Sequence, residues 1–474
     1  MTNAGSDVGL IGLAVMGSNL ALNIAEKGYV VSVYDRELNV TQAFVQNSGS
    51  LSNLIVAAEE LSAFVSSIKR PRSIILLIKA GAPVDQVVGA LLPFLDKGDT
   101  IIDGGNTEFK DTVRRSQSLQ KKGVHFVGLG VSGGEEGARH GPSLMFGGSR
   151  TSWDAISPLL NDIAVKFEGT PCCAYLGEDG AGNFVKTIHN GIEYADMQMI
   201  AEIYGIMRDG FSMSAGEIGD VFEDWNNGAL NSYLIEITAK ALRTIDPETG
   251  DPLVDIILDS AGQKGTGRWA VMEAQNLGVS ATTLEAAVSA RSLSSSRDVR
   301  IEASEALALD VVEARNQLSQ STTLQDLEQA LLVGKIAAYA QGFSVLDAAS
   351  QAYGWEIPLG DVAKVWRAGC IIRSSFLNEI ANIYDEQTGL SSLLLAPYFS
   401  DAVMDGQGAL RQTVAQAVLS GLPVPALNSA VSYIDGISQA RSTANLIQAQ
   451  RDFFGAHSFK RLDKDGDHHG CWSK

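Results

Sequence analysis

Short apolar runs alternate with stretches of helical period over the first third of the chain. Residues 8–11, 29–34, 73–78, 100–103 and 125–128 are strand-length runs of mainly apolar residues, and helical patterns separate them. That alternation predicts a parallel, doubly wound sheet covered by helices. From about Gly180 the texture changes to long helical patterns rich in Ala, Leu, Glu and Gln, continuing almost to residue 440. The glycine-rich run Gly177-Glu-Asp-Gly-Ala-Gly182 is the natural boundary. The expected organisation is an α/β domain over 1–179, an all-α domain over 180–439 and a C-terminal tail over 440–474. A faint repeat marks the helical part: Lys186 and Tyr204-Gly205 recur 149 residues later as Lys335 and Tyr353-Gly354, which leaves an internal duplication open.

Composition narrows the class. The 474 residues suffice for two or three domains. Thirty-six Lys and Arg against 55 Asp and Glu leave a net charge of −19, a poor match for nucleic acid or an anionic membrane surface. Cys172 and Cys173 are adjacent and Cys370 and Cys471 stand alone, without metal-ligand spacing; they read as reduced thiols of a cytoplasmic protein. Residues 8–25 carry no charge, yet Gly9, Gly12, Gly17, Ser18, Asn19 and Asn23 interrupt them and no basic segment precedes, so no membrane span is expected. Asp463, Asp465 and Asp467 are spaced like the start of a calcium loop but lack the glutamate at its twelfth position, so no metal is expected either.

Three patterns carry chemistry. Gly12-Leu13-Ala14-Val15-Met16-Gly17, after the first strand and before a helix expected over 19–27, has the spacing of a Rossmann-type dinucleotide fingerprint with Ala in the middle. Asp35 closes the second strand 23 residues after Gly12, where an acid holds the adenosine ribose. In Lys186-Thr-Ile-His189-Asn190-Gly-Ile-Glu193-Tyr194 the polar residues share one helix stripe at about 100° per residue. A stripe like this either faces solvent or lines a wet cleft, where a desolvated lysine becomes a general base and a nearby carboxyl an acid. Asp103-Gly-Gly-Asn106-Thr and Gly130-Val-Ser132-Gly133-Gly134-Glu-Glu-Gly137 are glycine loops after strands, either simple turns or part of a ligand crevice.

Together with Gly262-Gln-Lys-Gly-Thr-Gly-Arg-Trp269 and Asn445-Leu-Ile-Gln-Ala-Gln-Arg-Asp-Phe-Phe-Gly-Ala-His457, these motifs resemble the decarboxylating 6-phosphogluconate dehydrogenases over essentially the whole chain. The resemblance implies oxidation of 6-phosphogluconate at C3, loss of CO2 and protonation to ribulose 5-phosphate, with NADP or NAD and without a metal, in the pentose phosphate pathway. It implies Lys186 as base and then acid, Glu193 as the acid that protonates the enediol, and His189 and Asn190 beside them. Asn106, Ser132, Gly133, Gly134, His189 and Asn190 match the family's contacts to the sugar acid. Tyr194, Lys264, Thr266, Arg291 and Arg451 match its phosphate set, and His457 its tail contact. The cofactor would lie along residues 12–17, Asp35, Arg36, Glu37, Ile78, Lys79, Ala80 and Asn106. The family's tail enters the neighbouring subunit, which implies a homodimer in which Arg451 and His457 complete the partner's site. Other β-hydroxyacid dehydrogenases share the first 180 residues but are shorter and lack the tail; a catalytically silent dinucleotide-binding protein would have no need of Lys186 and Glu193.

The departures are local. Asp35-Arg36-Glu37 stands where the family usually has Asn-Arg-Ser or Asn-Arg-Thr around the NADP 2′-phosphate. Two carboxylates there repel a phosphate dianion, so NAD preference or dual use is expected. Phe146, Arg268 and Ser442-Thr443 also differ from the usual Pro, Lys and Leu-Pro.

Overall fold

The computed structural model describes residues 5–307, 311–387 and 389–472. Its N-terminal sheet has eight strands, β1 (Val8–Ile11), β2 (Val31–Tyr34), β3 (Ile55–Ala57), β4 (Ser73–Leu76), β5 (Thr100–Asp103), β6 (His125–Ser132), β7 (Ser143–Gly147) and β8 (Cys173–Tyr175). They lie in the order β8-β7-β6-β5-β4-β1-β2-β3. Neighbouring residues in the central strands serve opposite cores. Leu10, Ile75 and Ile102 meet Leu20, Ile24 and Leu160 on one face, while Ile11, Ile74 and Ile101 meet Phe64, Val84 and Leu119 on the other. Helices on both faces demand such continuous apolar runs.

The expected α/β domain followed by helices is what the chain forms, with corrections in detail. The sheet is mixed, because β7 runs antiparallel to β6. β3, β7 and β8 had not been anticipated. Strand β6 extends to Ser132 and a short helix, Gly134–His140, follows directly, so residues 130–137 are a strand end and a helix start rather than a loop. The first helix, α1 (Val15–Glu26), begins earlier than expected, at the glycine turn itself.

Five further helices matter for the site: α2 (Ala181–Gly205), α3 (Thr266–Asn276), α4 (Thr282–Ser294), α5 (Leu324–Tyr353) and α6 (Ala444–Gly455). Glycines let α2 lie directly on the sheet. A Cβ on Gly128 would stand 1.8 Å from Asn183 Oδ1, one on Gly130 2.7 Å from Lys186 Cβ, and one on Gly147 2.1 Å from Gly182 N. The close approach carries Lys186 to the end of β6. Helix α5 starts in a capping box in which Asp326 N donates to Thr323 Oγ1 (3.1 Å) and Thr323 N to Asp326 Oδ2 (2.8 Å). It stops at Gly354, whose φ of +68° is the left-handed conformation that glycine adopts most readily. The two long helices cross tightly. A Cβ on Gly342 would lie 2.5 Å from Ile192 Cδ1, and Lys335 Nζ is 2.6 Å from Asp196 Oδ2, both side chains buried. Removing one partner of such a pair strands a buried charge, at a cost of roughly 3–5 kcal/mol.

Candidate active site

The glycine turn fits a dinucleotide. Gly12 has φ +98°, and a Cβ there would meet Leu77 O at 2.5 Å; a Cβ on Gly17 would meet Gly12 O at 1.8 Å. The first glycine makes the turn and the last seats α1 against it, leaving backbone N–H groups at the helix start free for a pyrophosphate. Asp35 is tied into this cradle. Its Oδ2 accepts from Leu13 N (2.8 Å) and its Oδ1 from Glu37 N (3.1 Å). Arg36 stands 91% exposed, 3.7 Å from Glu37 Oε1. Ile78, Lys79 and Ala80, following β4, line a cleft of about 600 Å³ with Gly81, Glu108, Asp111 and Trp269, none of which had been placed in the site. Asn106 and Lys264 line this cleft and the next one too, so the two open into each other.

The second cleft, about 730 Å³, is where β6, α2, α3 and α4 converge. Lys186 Nζ donates to Ser132 Oγ (3.0 Å), and Ser132 Oγ lies 3.3 Å from His189 Nε2. Asn190 Nδ2 is committed to Thr266 Oγ1 (3.0 Å), which turns Asn190 Oδ1 toward His189 Nδ1 at 3.0 Å. The proton of His189 is thereby assigned to Nδ1, leaving Nε2 to accept from Ser132. One chain of hydrogen bonds thus runs from the lysine through serine, histidine and asparagine to threonine. Glu193 Oε2 closes the group, 3.7 Å from His189 Nδ1.

Burial sets the protonation states. It pushes the Lys186 ammonium down, against the attraction of Glu193, and it pushes the Glu193 carboxyl up, against Lys186 and Arg291. His189, sealed from water and beside Lys186, is held well below the usual imidazole range and stays neutral. A base and an acid with displaced pKa values, one helix turn either side of a neutral histidine, suit proton abstraction and return on one small substrate.

Gly133, Gly134, Tyr194 and Arg291 line the same cleft as Asn106, Ser132, Lys186, Asn190, Glu193, Lys264 and Thr266. His189 sits behind this wall. The Arg291 guanidinium lies over Tyr194, 3.7 Å from its ring centroid, and both residues line the cleft. Val131, Met197, Gln263 and Ile371 also line it and had not been singled out; Ile371 comes from a distant helical connection that no local motif announces.

Arg451 and His457 do not reach this cleft within their own chain. Helix α6 presents Leu446, Ile447, Phe453 and Phe454 to solvent, each 59–73% exposed. The tail is nevertheless closed on itself around buried Asp452, which accepts from Ser458 N (2.9 Å), Gly470 N (2.8 Å), His469 Nδ1 (2.6 Å) and Trp472 Nε1 (2.8 Å). His457 stands on the outer turn of this clasp between two left-handed residues, Ala456 (φ +51°) and Ser458 (φ +56°). The aspartates resembling a calcium loop are engaged otherwise, Asp463 with Arg461 (2.7 Å) and Asp467 with Lys460 (2.8 Å). Among the described residues no helix is long and apolar enough to cross a membrane.

Comparison with known proteins places this architecture. The family profile for the NAD binding domain of 6-phosphogluconate dehydrogenase matches residues 7–177, and that for the 6-phosphogluconate dehydrogenase C-terminal domain matches residues 182–472. Two Bacillus subtilis relatives are each 47% identical: an NAD(+)-dependent decarboxylating 6-phosphogluconate dehydrogenase, aligned over 99% of this chain and 100% of its own, and an NADP(+)-dependent one, over 98% and 99%. The solved structure of Plasmodium falciparum 6-phosphogluconate dehydrogenase superposes with a TM-score of 0.93 at 40% identity, covering 98% of this chain and 100% of that one. With the fold, the dinucleotide cradle and the full-length similarity in agreement, this chain belongs to the 6-phosphogluconate dehydrogenase family.

Proposed function

We propose that the chain oxidises 6-phosphogluconate at C3 and decarboxylates it to ribulose 5-phosphate and CO2, with NAD or NADP as acceptor. The observation that carries this reading is the buried Lys186–Ser132–His189–Asn190 chain with Glu193 at its edge, facing a cleft that opens onto the dinucleotide cradle. When bound, the nicotinamide supplies the hydride acceptor. Lys186, whose ammonium burial pushes down toward the neutral form, takes the proton of the C3 hydroxyl. Once protonated, the same ammonium faces the new ketone oxygen and stabilises the negative charge that builds there as CO2 leaves. Glu193, whose carboxyl burial pushes up toward the protonated form, delivers its proton to C1 of the enediol. Ser132 and His189 orient Lys186 and can share its proton. Asn106, Gly133, Gly134 and Asn190 hold the sugar acid, and Tyr194, Lys264, Thr266 and Arg291 its phosphate.

The active unit is a homodimer, each tail carrying Arg451 and His457 into the partner's cleft; the exposed apolar face of α6 and the distance of both residues from their own site support this. The cofactor preferred is NAD. Asp35, fixed by Leu13 N and Glu37 N, keeps a lone pair on each oxygen for a free 2′-hydroxyl, Glu37 adds a second negative charge, and exposed Arg36 is the one cation of the trio. The domains divide near residue 180 and again near 440. The paired Lys186/Lys335 helices, each ending in Tyr-Gly, support a duplicated helical domain with chemistry in one copy.

The test is kcat/KM for 6-phosphogluconate with each dinucleotide, with CO2 counted alongside. Turnover with stoichiometric CO2 and at least tenfold preference for NAD is expected. Preference for NADP overturns the cofactor assignment, and absence of turnover with both overturns the activity.

A further inference from the structure

A second cavity, about 340 Å³, lies between the helical domain and the Lys166–Phe167 strand, away from the candidate active site. Two arginines line it. The Arg373 guanidinium lies 3.7 Å from the ring centroid of Tyr233, and that of Arg367 lies 4.6 Å from the ring of Phe167. A guanidinium held over a ring by its face keeps its N–H groups for other acceptors, and among the described residues Nη2 of each arginine has no hydrogen-bond partner. Arg373 uses Nη1 on Cys370 O (3.1 Å); Arg367 donates through Nε to Lys364 O (3.3 Å) and through Nη1 to Asn378 Oδ1 (3.4 Å). Among the described residues neither has a carboxylate within 4.0 Å, although the chain carries a net charge of −19. Of the other arginines with little exposure, Arg72, Arg115, Arg139 and Arg300 each have one, while Arg315 has none among the described residues and donates to Ser420 O (3.2 Å). Glu236 on the rim is engaged by Lys240. Ser374, in the cavity wall, has a buried hydroxyl without a partner.

Arg291 on Tyr194, in the cleft described above, has the same geometry, a guanidinium 3.7 Å over a tyrosine with no carboxylate paired to it. From this repetition we infer that the Arg367–Arg373 cavity is a second anion site, built for a tetrahedral oxyanion such as a phosphate group. Guanidinium forks match its oxygens two by two, and desolvated charge-assisted contacts of this kind are the strong ones. The wall between the two cavities is thin. Residues 367–375 carry both arginines, and between them Ile371 lines the catalytic cleft while Gly369 O takes the N–H of Ser143 (3.0 Å) and abuts Gly133. An anion held by Arg367 and Arg373 therefore steadies the segment that forms one side of the active site.

The experiment is equilibrium dialysis of the full-length protein against labelled inorganic phosphate, with Arg291→Met and Arg373→Met made singly and together. Wild type is expected to bind two phosphates per chain, each single variant one, and the double variant none. An unchanged stoichiometry in Arg373→Met overturns the second site; an unchanged one in Arg291→Met bears only on the active-site reading, so the two failures are distinct. If Arg373→Met fails to fold, Asn378→Leu serves instead, and retention of both phosphates by that variant overturns the site. Adding ribose 5-phosphate identifies the source. Displacement of the Arg373-dependent phosphate points to a sugar phosphate as the occupant, and its retention points to free phosphate; both outcomes uphold the site.

Discussion

Arg115 grips both carboxylate oxygens of Asp85, with Nε at 2.9 Å and Nη2 at 3.0 Å, from a position closed to water. Its Nη2 also donates to Gly81 O (3.0 Å), and its Nη1, without a hydrogen-bond partner, lies 3.7 Å from buried Asp103. Asp103 in turn accepts from Gly105 N (3.0 Å) and Thr107 Oγ1 (2.8 Å), on either side of Asn106. One guanidinium thus underlies both loops of the cofactor cleft and acts as a positioning residue. Arg115→Met is expected to raise KM for the dinucleotide about tenfold, or roughly 1.4 kcal/mol, with a smaller change for the sugar acid. Arg115→Lys should recover part of the loss. Equal KM values for wild type and Arg115→Met would refute the coupling.

Replacing Lys186 by Met should lower kcat by about 10²–10⁴, the range of a lost general base, with dinucleotide affinity unchanged. In wild type, kcat/KM should rise with pH as Lys186 loses its proton and fall again as Glu193 ionises. Glu193→Gln should keep hydride transfer, abolish the alkaline limb and slow product formation. A pH profile unaffected by Glu193→Gln would remove it from the acid's role.

Glu202 offers a stability test. Its carboxyl accepts Ala426 N (2.8 Å) and Leu427 N (2.9 Å) at the start of another helix, but burial dominates and raises its pKa from 4.5 to about 7. A raised carboxyl pKa means that the folded state holds its proton longer. The stabilisation is present below pH 4.5 and is lost as pH rises through about 7. Over that window wild type should lose up to ~3 kcal/mol relative to Glu202→Gln, measured by urea unfolding at pH 5, 6, 7 and 8. Parallel curves would show that the carboxyl ionises as freely folded as unfolded.

Subunit mixing tests the tail. Lys186→Met and Arg451→Met proteins should each be nearly inactive when prepared alone. If the tail crosses, a mixed dimer pairs an intact Lys186 body with an intact Arg451 tail in one of its two sites, and activity returns on co-refolding. No recovery would mean that the tail serves its own chain.

Periodicity and glycine spacing made the central strands, the dinucleotide turn and the polar stripe of α2 readable before any coordinates. They could not decide whether that stripe faced water or a cleft, since Phe184, Ile188 and Ile192 supply a core face in either case. What resolved it was the approach of α2 to Gly128, Gly130 and Gly147, a contact between segments 35–56 residues apart that leaves only isolated glycines in the sequence. The antiparallel β7 was missed because Ser143–Gly147 holds only three apolar residues, Leu144, Met145 and Phe146, between a serine and a glycine, too few to tell a strand from a buried helical segment. Ile371, Gly81 and Arg115 carry no local signature; tertiary contacts alone bring them to the site.

Gly342 makes the asymmetry of the helical domain hard to reverse. Opposite it, Ile192 fills the only space a side chain could enter, and both residues are sealed in the core where the two long helices touch. A carboxylate at position 342, where α5 would need one to imitate Glu193, would force the helices apart and bury an unpaired charge. With glycine at this close crossing, α5 serves to support its neighbour, and new chemistry in this chain has to arise outside the crossing.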